Sequence, residues 1–280
     1  MTSYLIGLIG SGIGPSLSPL LHEREAGFHG LRYLYRVIDI DVLGVDAEAA
    51  GDLVRTAQRL GFDGFNVTHP CKQTVMTVVD ELSPDAAALG AVNTILFSGN
   101  RAIGHNTDWT GFAQALTRGL PDAPRRRIVQ LGAGGAGAAV AYALVTLGAE
   151  QISVVDADPR RAKALAERLG GGRVRAADLS DLPQLVRQSD GLVHATPTGM
   201  AHSPGMPLPA DLLHPGLWVA DIVYRPMETE LLREAEQRGC RTLNGGGMVV
   251  FQAAHAFRLF TGLEPDVERM FAHFTDLVTA

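Results

Sequence analysis

The stretch Ile128-Val129-Gln130-Leu131-Gly132-Ala133-Gly134-Gly135-Ala136-Gly137 decides the fold of this chain. A short apolar run, typical of a buried strand, leads into a G-x-G-x-x-G loop that opens a helix rich in small residues. The first glycine allows a tight turn, the second lets the backbone approach a pyrophosphate, and the third permits close packing of helix on strand. We therefore predict a βαβ unit that binds a dinucleotide, rather than a glycine-rich turn without a ligand, because the helix N-terminus offers free N–H groups to phosphates.

The segment after the next predicted strand, residues 152–155, bears on the choice between NAD and NADP. Asp156 ends that strand about 20 residues beyond the loop, where an acidic residue accepts hydrogen bonds from the ribose 2′-OH. A carboxylate there would repel the 2′-phosphate of NADP, and Asp158 adds a second negative charge. Pro159 predicts a helix start that places Arg160 and Arg161 in the first turn. We expect NAD, with NADP disfavoured; the alternative is that one of these arginines turns toward the phosphate.

A proline-rich break divides the chain. Two prolines fall within residues 119–124, and a fresh βαβ pattern starts after them. Before the break, strands are predicted at residues 4–9, 33–38, 64–67 and 91–97, and helices at 47–60 and from Asp108 to about Gly119. The predicted fold class is α/β, with an N-terminal α/β substrate domain at residues 1–110 and a doubly wound nucleotide-binding domain of the Rossmann type at 111–245. Two further helical segments occupy residues 246–280.

Composition excludes several classes of protein. The chain has 280 residues, 46% hydrophobic content and a net charge of −6, which leaves no electrostatic footprint for nucleic acid. Its two cysteines, Cys71 and Cys240, cannot form a disulfide framework or a CxxC metal site. No apolar run approaches the length of a membrane span, and the apolar N-terminus lacks a basic flank. We expect a cytoplasmic protein with no nucleic-acid or membrane partner.

Four polar segments stand at strand ends or helix starts in the first predicted domain. In open α/β sheets, ligands bind outside the carboxyl ends of the strands. We therefore expect these segments to form a site: Ser16-Leu17-Ser18-Pro19, Asn66-Val67-Thr68-His69-Pro70-Cys71-Lys72, Ala91-Val92-Asn93-Thr94 and Asn106-Thr107-Asp108.

The dinucleotide indicates the chemistry of that site. Oxidation of a secondary alcohol moves a hydride to nicotinamide and a proton to a base, and Lys72 with Asp108 is the best candidate pair. A partly desolvated lysine can accept or return the proton, while a nearby carboxylate orients its amine. The alternatives are that Lys72 is an ordinary surface lysine and that Asp108 is only a helix N-cap.

The other polar residues suit a polyhydroxylated acid. Asn66, Thr68 and Asn93 can hydrogen-bond several hydroxyls, and Ser16 and Ser18 near a helix N-terminus suit a carboxylate. We also expect Ser18 to be the N-cap of its helix. The alternative role for Asn66 and Asn93 is to form hydrogen bonds with backbone groups of the loops. We assign no role to His69 or Cys71.

These motifs together resemble the shikimate dehydrogenase family over essentially the whole chain. The likeness rests on Ser16-x-Ser18-Pro19, on Asn66-Val67-Thr68-x-Pro70-x-Lys72, on Gly90-Ala91-Val92-Asn93-Thr94, on Gly104-His105-Asn106-Thr107-Asp108, on Ala195-Thr196-Pro197-x-Gly199-Met200 and on Asp221-Ile222-Val223-Tyr224 with Gly247-Met248 and Gln252. Pro15 stands where many members carry His, and Trp109 where many carry Gly.

The resemblance implies a role for each matching position. It implies Lys72 and Asp108 as the catalytic pair and a substrate site formed by Ser16, Ser18, Asn66, Thr68, Lys72, Asn93, Asp108, Tyr224 and Gln252. It implies a cofactor site formed by Gly132, Ala133, Gly134, Gly135, Ala136, Gly137, Asp156, Arg161, Thr196, Pro197, Met200, Val223, Gly247 and Met248. It further implies no metal, C-terminal helices that pack back on the first domain, and a monomer or homodimer.

Within the family, the chain looks most similar to actinobacterial NAD-dependent quinate/shikimate dehydrogenases. Those members carry Ser-x-Thr where this chain has Ser16-x-Ser18, and the threonine is associated with quinate use. We therefore expect shikimate as the substrate and put efficient quinate oxidation in doubt. The alternatives are a dehydrogenase for an aminoshikimate-type analogue and a non-catalytic ligand sensor; the intact Lys72 and Asp108 and the absence of sequence for an output module argue against the sensor.

Overall fold

The computed structural model describes residues 2–279, which form two compact units. The first unit combines residues 2–107 with residues 250–279, and the second unit is residues 108–249. The strands are β1 (Ser3–Gly10), β2 (Arg32–Asp39), β3 (Gly64–Val67), β4 (Glu81–Leu82), β5 (Thr94–Ser98), β6 (Arg101–His105), β7 (Arg127–Leu131), β8 (Gln151–Val155), β9 (Val174–Ala176), β10 (Gly191–His194), β11 (Trp218–Asp221) and β12 (Arg241–Leu243).

Eleven α-helices lie among the described residues, with short 3-10 turns between some of them. The helices are α1 (Ser18–Phe28), α2 (Ile40–Leu43), α3 (Ala50–Arg59), α4 (Pro84–Leu89), α5 (Asp108–Gly119), α6 (Gly135–Thr146), α7 (Pro159–Leu169), α8 (Leu182–Arg187), α9 (Glu230–Gln237), α10 (Gly246–Thr261) and α11 (Val267–Thr279). None of the helices in residues 2–279 is both long and apolar enough to cross a membrane.

The first unit contains a six-stranded mixed sheet in the order β2-β1-β3-β5-β6-β4. Strand β5 runs antiparallel to both of its neighbours, and the other pairings are parallel. Two apolar clusters cover this sheet, one around Phe65 and one around Tyr33 and Tyr35. Phe257 and Phe260 of α10 belong to the second cluster, which confirms that the C-terminal helices pack back on the first domain.

The second unit contains a parallel six-stranded sheet in the order β12-β11-β10-β7-β8-β9. This is the doubly wound order, in which the strand sequence reverses between β7 and β10. The predicted α/β class with a Rossmann-type domain is therefore confirmed. The glycine-rich loop follows β7 at the reversal point, which is where this fold binds nucleotides.

The predicted N-cap role of Ser18 is wrong. The residue before α1, Leu17, already has helical backbone angles, φ −86° and ψ −9°, so Ser18 lies inside the first turn. The helix has no side-chain cap, and the Ser16 hydroxyl instead accepts a 3.3 Å hydrogen bond from the Ser18 N–H. The Ser18 hydroxyl instead hydrogen-bonds to the hydroxyl of Tyr35.

Two predicted elements begin later than expected. The predicted helix over residues 47–60 opens with a 3-10 turn, Ala47–Ala49, before α3 starts at Ala50. The predicted strand over residues 91–97 is shortened to β5, which starts at Thr94. Asn93 still exchanges backbone hydrogen bonds with two strands, since its N–H donates to His105 and its carbonyl accepts from Val67.

Candidate active site

The glycine-rich loop has a shape that side chains would destroy. Gly132 has φ +101°, and a Cβ built on it would lie 2.5 Å from the carbonyl oxygen of Ala195. A Cβ on Gly137 would lie 2.3 Å from the carbonyl oxygen of Gly132. The buried amide of Gln130 donates to both the Gly132 and the Gly137 carbonyls at 2.8 Å, so it ties the turn to the helix start.

Open space lies over the middle of the same loop. A Cβ on Gly134 would meet nothing within 4 Å, and α6, which begins at the next residue, has no side-chain cap. A helix N-terminus without a cap presents N–H groups and a partial positive charge to an anion. The loop therefore fits the pyrophosphate of a dinucleotide, held by the backbone of residues 132–137.

The acidic segment after β8 is anchored to this loop. One carboxylate oxygen of Asp156 accepts from the Ala133 N–H at 2.7 Å and the other from the Asp158 N–H at 2.9 Å. Asp158 caps α7 and pairs with the guanidinium of Arg160 at 2.8–2.9 Å, and hydrogen bonding to Arg160 lowers the pKa of Asp158 to about 2. Arg160 and Arg161 both lie in the first turn of α7, as predicted, and Arg161 is exposed.

The loop after β10 borders the glycine-rich loop. Ala195 and Thr196 are the residues that a Cβ on Gly132 would touch. Beyond them, Pro197 accepts from the Met200 N–H at 3.1 Å, which closes a turn. These three predicted cofactor residues, Thr196, Pro197 and Met200, therefore lie in one loop beside the predicted phosphate site.

A buried histidine that the sequence analysis missed supports that loop. His194 is fully buried, with Nδ1 2.9 Å from an Asp221 carboxylate oxygen and Nε2 2.5 Å from the Thr196 hydroxyl. The signal was present in the sequence, because His194 ends the strand immediately before Ala195 and Thr196. It was missed because nothing in a one-dimensional pattern shows that the carboxylate of β11 faces it.

The remaining predicted cofactor residues lie just after β11 and in the first turn of α10, and Tyr224 of the predicted substrate site follows Val223. Val223 and Met248 are buried, and Gly247 packs against Ala115, with a Cβ position 3.0 Å from the Ala115 Cβ. Tyr224 is half-buried, and its burial raises the pKa of the phenol.

In the first unit, a chain of buried amides and hydroxyls runs along the strand ends. Asn66 donates to the Thr94 hydroxyl at 3.0 Å, Thr94 donates to Asn93 at 3.0 Å, and Asn93 donates to the Thr107 hydroxyl at 3.0 Å. At the other end, the Tyr35 hydroxyl donates to Asn66 Oδ1 at 2.7 Å. All five side chains are buried, so the two asparagines serve the fold as well as being site candidates.

Backbone groups fix the orientation of both amides. The Asn93 carbonyl can only accept, and it faces Asn66 Nδ2 at 3.4 Å, so Oδ1 of Asn66 must face Tyr35. The Thr107 N–H can only donate, and it reaches Asn93 Oδ1 at 2.7 Å. The predicted alternative for the asparagines is thus partly correct, because each satisfies a backbone group of a neighbouring segment.

A backbone hydrogen bond ties the lysine segment to this chain. The Lys72 carbonyl accepts from the Val92 N–H at 2.9 Å, which holds the lysine segment beside residues 92–93. Lys72, Thr68 and Gln252 are half-buried, as are Ser16 and Ser18. Asp108 is 7% exposed and follows Thr107 as the first residue of α5, in the second unit.

The structure shows the surroundings of three residues to which the sequence analysis gave no role. Trp109 packs edge-on against Tyr142 of α6, with ring centroids 5.2 Å apart, so this departure from the family pattern fills a helix contact within the second unit. Cys71 is fully buried, and burial raises the pKa of its thiol, as expected of a core residue. His69 is exposed and accepts from the Ser11 N–H through its carbonyl.

The fold and these geometries define a two-domain α/β protein with a dinucleotide-binding unit and a second unit rich in oriented polar groups. Three family models match the chain: the shikimate dehydrogenase substrate binding domain over residues 8–95, shikimate / quinate 5-dehydrogenase over 114–201, and the shikimate 5'-dehydrogenase C-terminal domain over 245–270. The chain belongs to the shikimate dehydrogenase family.

Individual relatives align over almost the whole chain. A shikimate dehydrogenase (NADP(+)) of Streptomyces avermitilis is 67% identical, covering 98% of this chain and 96% of that protein. A quinate/shikimate dehydrogenase (NAD(+)) of Corynebacterium efficiens is 48% identical, covering 98% and 99%. The structure of quinate dehydrogenase from Corynebacterium glutamicum in complex with NAD superposes with a TM-score of 0.93 at 44% identity, covering 99% and 100%.

Proposed function

We propose that this protein is a nicotinamide-dependent dehydrogenase that reversibly oxidises the ring hydroxyl of shikimate to the ketone of 3-dehydroshikimate. The observation that supports this most strongly is the buried chain from Tyr35 through Asn66 and Asn93 to Thr107. Amides whose orientation is fixed before binding suit a ligand with several hydroxyls, because little ordering is left to occur on binding. The naming of the aligned relatives supports the same substrate.

The role of each residue follows from the protons and hydrogen bonds that its side chain can donate or accept. Lys72 takes the proton from the reacting hydroxyl, and Asp108 orients its amine. Asn66 already uses both amide hydrogens and one lone pair of Oδ1, so it accepts a hydrogen bond from a substrate hydroxyl with the other. Ser16 and Ser18 hold the carboxylate, with Thr68, Asn93, Tyr224 and Gln252 contacting the rest of the substrate.

The cofactor is held by the second unit. The backbone of residues 132–137 takes the pyrophosphate, Asp156 the ribose, and Thr196, Pro197, Met200, Val223, Gly247 and Met248 the nicotinamide end. A bound nicotinamide ring supplies the hydride acceptor. The protein itself supplies the proton path at Lys72 and the orientation of the alcohol.

The test is an initial-rate panel of shikimate and quinate, each with NAD and NADP, on the wild type and two lysine variants. Lys72→Ala should lower kcat by about two to four orders of magnitude, the usual range for loss of a general acid–base group. Lys163→Ala is the matched control, because that side chain is 75% exposed on α7. Turnover of Lys72→Ala within a few-fold of wild type would remove Lys72 from the mechanism, and no turnover of either substrate by wild type would refute the function.

We further propose a preference for NAD. The carboxylate of Asp156 follows β8, at the position where this fold binds the ribose 2′ group, and Arg160 is already engaged by Asp158. At an effective dielectric near 20, two like charges about 4 Å apart repel by about 4 kcal/mol. Because solvent screens this repulsion, we expect NAD to exceed NADP in kcat/KM by about one to three orders of magnitude.

Arg161 is the residue that would favour NADP instead, because it is exposed in the same turn and could bind the 2′-phosphate. The Streptomyces relative is also named for NADP(+). Two variants separate these effects. Asp156→Asn should narrow the ratio of kcat/KM between NAD and NADP, whereas Arg161→Ala should leave NAD kinetics unchanged. A ratio untouched by Asp156→Asn would remove Asp156 as the selector, and a collapse of NADP activity in Arg161→Ala would identify the arginine as the phosphate ligand.

For the acid itself, we propose shikimate over quinate. Ser18 stands at the position where the resemblance associates threonine with quinate use. Quinate differs from shikimate by a saturated ring with one more hydroxyl, so it demands an additional polar contact. The same kinetic panel measures this preference directly, and Ser18→Thr should raise kcat/KM for quinate relative to shikimate.

A further inference from the structure

His194 stands between a buried carboxylate and a partly exposed hydroxyl at the carboxyl edge of the second sheet. Its ring is 0% exposed, and Asp221 is 2% exposed, whereas Thr196 is half-buried. The other oxygen of Asp221 accepts from the Thr229 hydroxyl at 2.7 Å, and the oxygen that faces His194 also accepts from the Val223 N–H at 3.0 Å. The side chains thus form a relay that starts in the core and ends at Thr196.

The proton positions in the relay follow when Asp221 is a carboxylate and the His194 ring is neutral. Asp221 as a carboxylate can only accept, so Nδ1 of His194 carries the proton that faces it. In the neutral ring, Nε2 is then an acceptor, and the Thr196 hydroxyl donates its proton to it. The Thr198 N–H also donates to the Thr196 oxygen, at 3.3 Å. The hydroxyl hydrogen of Thr196 is therefore already used in the hydrogen bond to His194. Thr196 can only accept a hydrogen bond from an incoming ligand.

The location of Thr196 indicates the ligand. Its side chain lies beside Gly132, within 2.9 Å of where a Cβ on that glycine would be, and so at the edge of the phosphate loop. We propose that His194 is a positioning residue that holds Thr196 as a hydrogen-bond acceptor for the dinucleotide, and that the donor is a ribose hydroxyl or the carboxamide N–H of the nicotinamide. This inference rests on the proposed dinucleotide function.

The experiment measures dinucleotide affinity by calorimetry, independently of turnover. His194→Phe keeps an aromatic ring at this position but removes both hydrogen bonds, and Thr196→Val removes only the hydroxyl. Each should raise the Kd for NADH by about fivefold to tenfold, and tenfold corresponds to about 1.4 kcal/mol. Because both variants interrupt the same bond, the double variant should be no worse than the weaker-binding single variant.

Thr229→Val is the matched control. It removes a hydrogen bond from the same carboxylate, on the side away from Thr196, and removes a side-chain cap of α9. It should lower Tm while leaving the Kd for NADH unchanged. If all three variants raise Kd in proportion to their loss of Tm, the relay serves only stability and the inference is overturned.

The protonation pattern can be observed in the wild type itself, so the inference does not depend on a variant that folds. NMR of protein labelled with ¹⁵N-histidine should show Nδ1 of His194 protonated and Nε2 unprotonated. A protonated Nε2 would make Thr196 a donor and overturn the inference. Wild type that binds NADH but does not oxidise shikimate would instead refute the proposed function while leaving this inference intact.

Discussion

Tyr33 and Tyr35 lie on the same face of β2 and are buried to similar extents, 8% and 7% exposed, but their hydroxyls have different partners. Tyr35 donates to Asn66, whereas Tyr33 lies 3.1 Å from Nδ1 of His22. Burial lowers the pKa of His22 to about 3, so that ring stays neutral and belongs to the core. The pair offers a controlled comparison between a site hydrogen bond and a structural one.

We expect Tyr35→Phe to raise the KM for shikimate about fivefold to tenfold, with little change in the KM for the dinucleotide. The variant leaves Oδ1 of Asn66 without its donor, and an unsatisfied buried acceptor costs about 1–3 kcal/mol. The amide can then rotate away from its binding orientation. Steady-state kinetics on both substrates, with Tm as the stability measure, check this.

Tyr33→Phe is the control for the same strand and the same chemical change. It should lower Tm by a similar amount while leaving both KM values close to wild type. Equal effects of the two variants on the KM for shikimate would mean that the hydroxyl of Tyr35 acts only through stability.

At the scale of elements, two glycines of the glycine-rich loop are needed for different reasons. The fold requires Gly137, whereas we expect only the bound ligand to require Gly134. A Cβ on Gly137 meets backbone at 2.3 Å, so Gly137→Ala must displace the loop or the helix, and it should lower both Tm and dinucleotide affinity. A Cβ on Gly134 meets nothing, and Gly134 has φ −73°, which alanine adopts readily.

We therefore expect Gly134→Ala to keep the wild-type Tm and yet to raise the Kd for NADH at least tenfold, because its methyl group would occupy the space that we assign to the pyrophosphate. Calorimetric titration and thermal unfolding of the two variants together test this. Wild-type affinity in Gly134→Ala would show that the phosphates lie elsewhere.

A second element-scale feature joins the first and last helices of the first unit. Glu25 of α1 is 2% exposed and accepts from Arg269 of α11 at 2.6 and 2.9 Å. Burial alone would raise the pKa of this carboxyl, but hydrogen bonds from Arg269, the Asp266 N–H and His29 outweigh burial and lower it. The first and last helices are therefore held by a charged group whose contribution depends on pH.

A depressed carboxyl pKa contributes stability that is present above the unfolded-state pKa and is lost as the pH falls through the folded-state pKa. We expect Glu25→Gln to lower Tm at pH 7 and the deficit to shrink as the pH falls below the ordinary glutamate pKa of about 4.3, towards the lower pKa at which Glu25 in the folded wild type is protonated. Thermal unfolding of both proteins across that range is the measurement. A deficit that does not change with pH would assign the effect to packing.

Arg269→Ala should destabilise the fold by up to about 3–5 kcal/mol, the cost of removing one partner of a buried ion pair, because the Glu25 carboxylate then keeps only the Asp266 N–H and His29 as partners. The matched control is Arg24→Ala, which breaks an ion pair between the same two helices, Arg24 with Asp276, at side chains 48% and 68% exposed. Exposed pairs contribute about 0–1 kcal/mol, so the control should be nearly neutral.

At the scale of the whole molecule, the chain divides its predicted binding groups between two compact units. The serines and asparagines belong to the first unit, and the glycine-rich loop belongs to the second. We expect Ser16→Ala combined with Ser18→Ala to weaken shikimate binding while leaving the Kd for NADH unchanged. If the serines hold the carboxylate, the double variant should also lose discrimination between shikimate and its carboxamide.

Calorimetry with each ligand separately is the measurement, and kinetics with the carboxamide analogue are the second. A double variant that discriminates acid from amide as well as wild type would show that the carboxylate binds elsewhere. A double variant that loses NADH affinity would show that the two units do not bind independently.

Much of the fold could be predicted because the sequence patterns are local. Strand β3 and helix α5 have the predicted bounds. A run of apolar residues and an aspartate at a helix start are each recognisable from a few consecutive residues. The very short strands β4, β9 and β12 were not predicted individually, because two or three residues carry no periodicity and owe their conformation to a neighbouring strand.

The sequence by itself determined the α/β class, the dinucleotide loop and the set of polar segments that form the candidate site. Only the tertiary structure decided which side chains meet: that Tyr35 orients Asn66, that His194 joins Asp221 to Thr196, and that Ser18 is not a cap. The physical reason is that hydrogen bonds between residues 27 or 31 positions apart depend on strand register and on the packing of one strand against another. A sequence pattern records the propensity of each strand but not the partner that it faces.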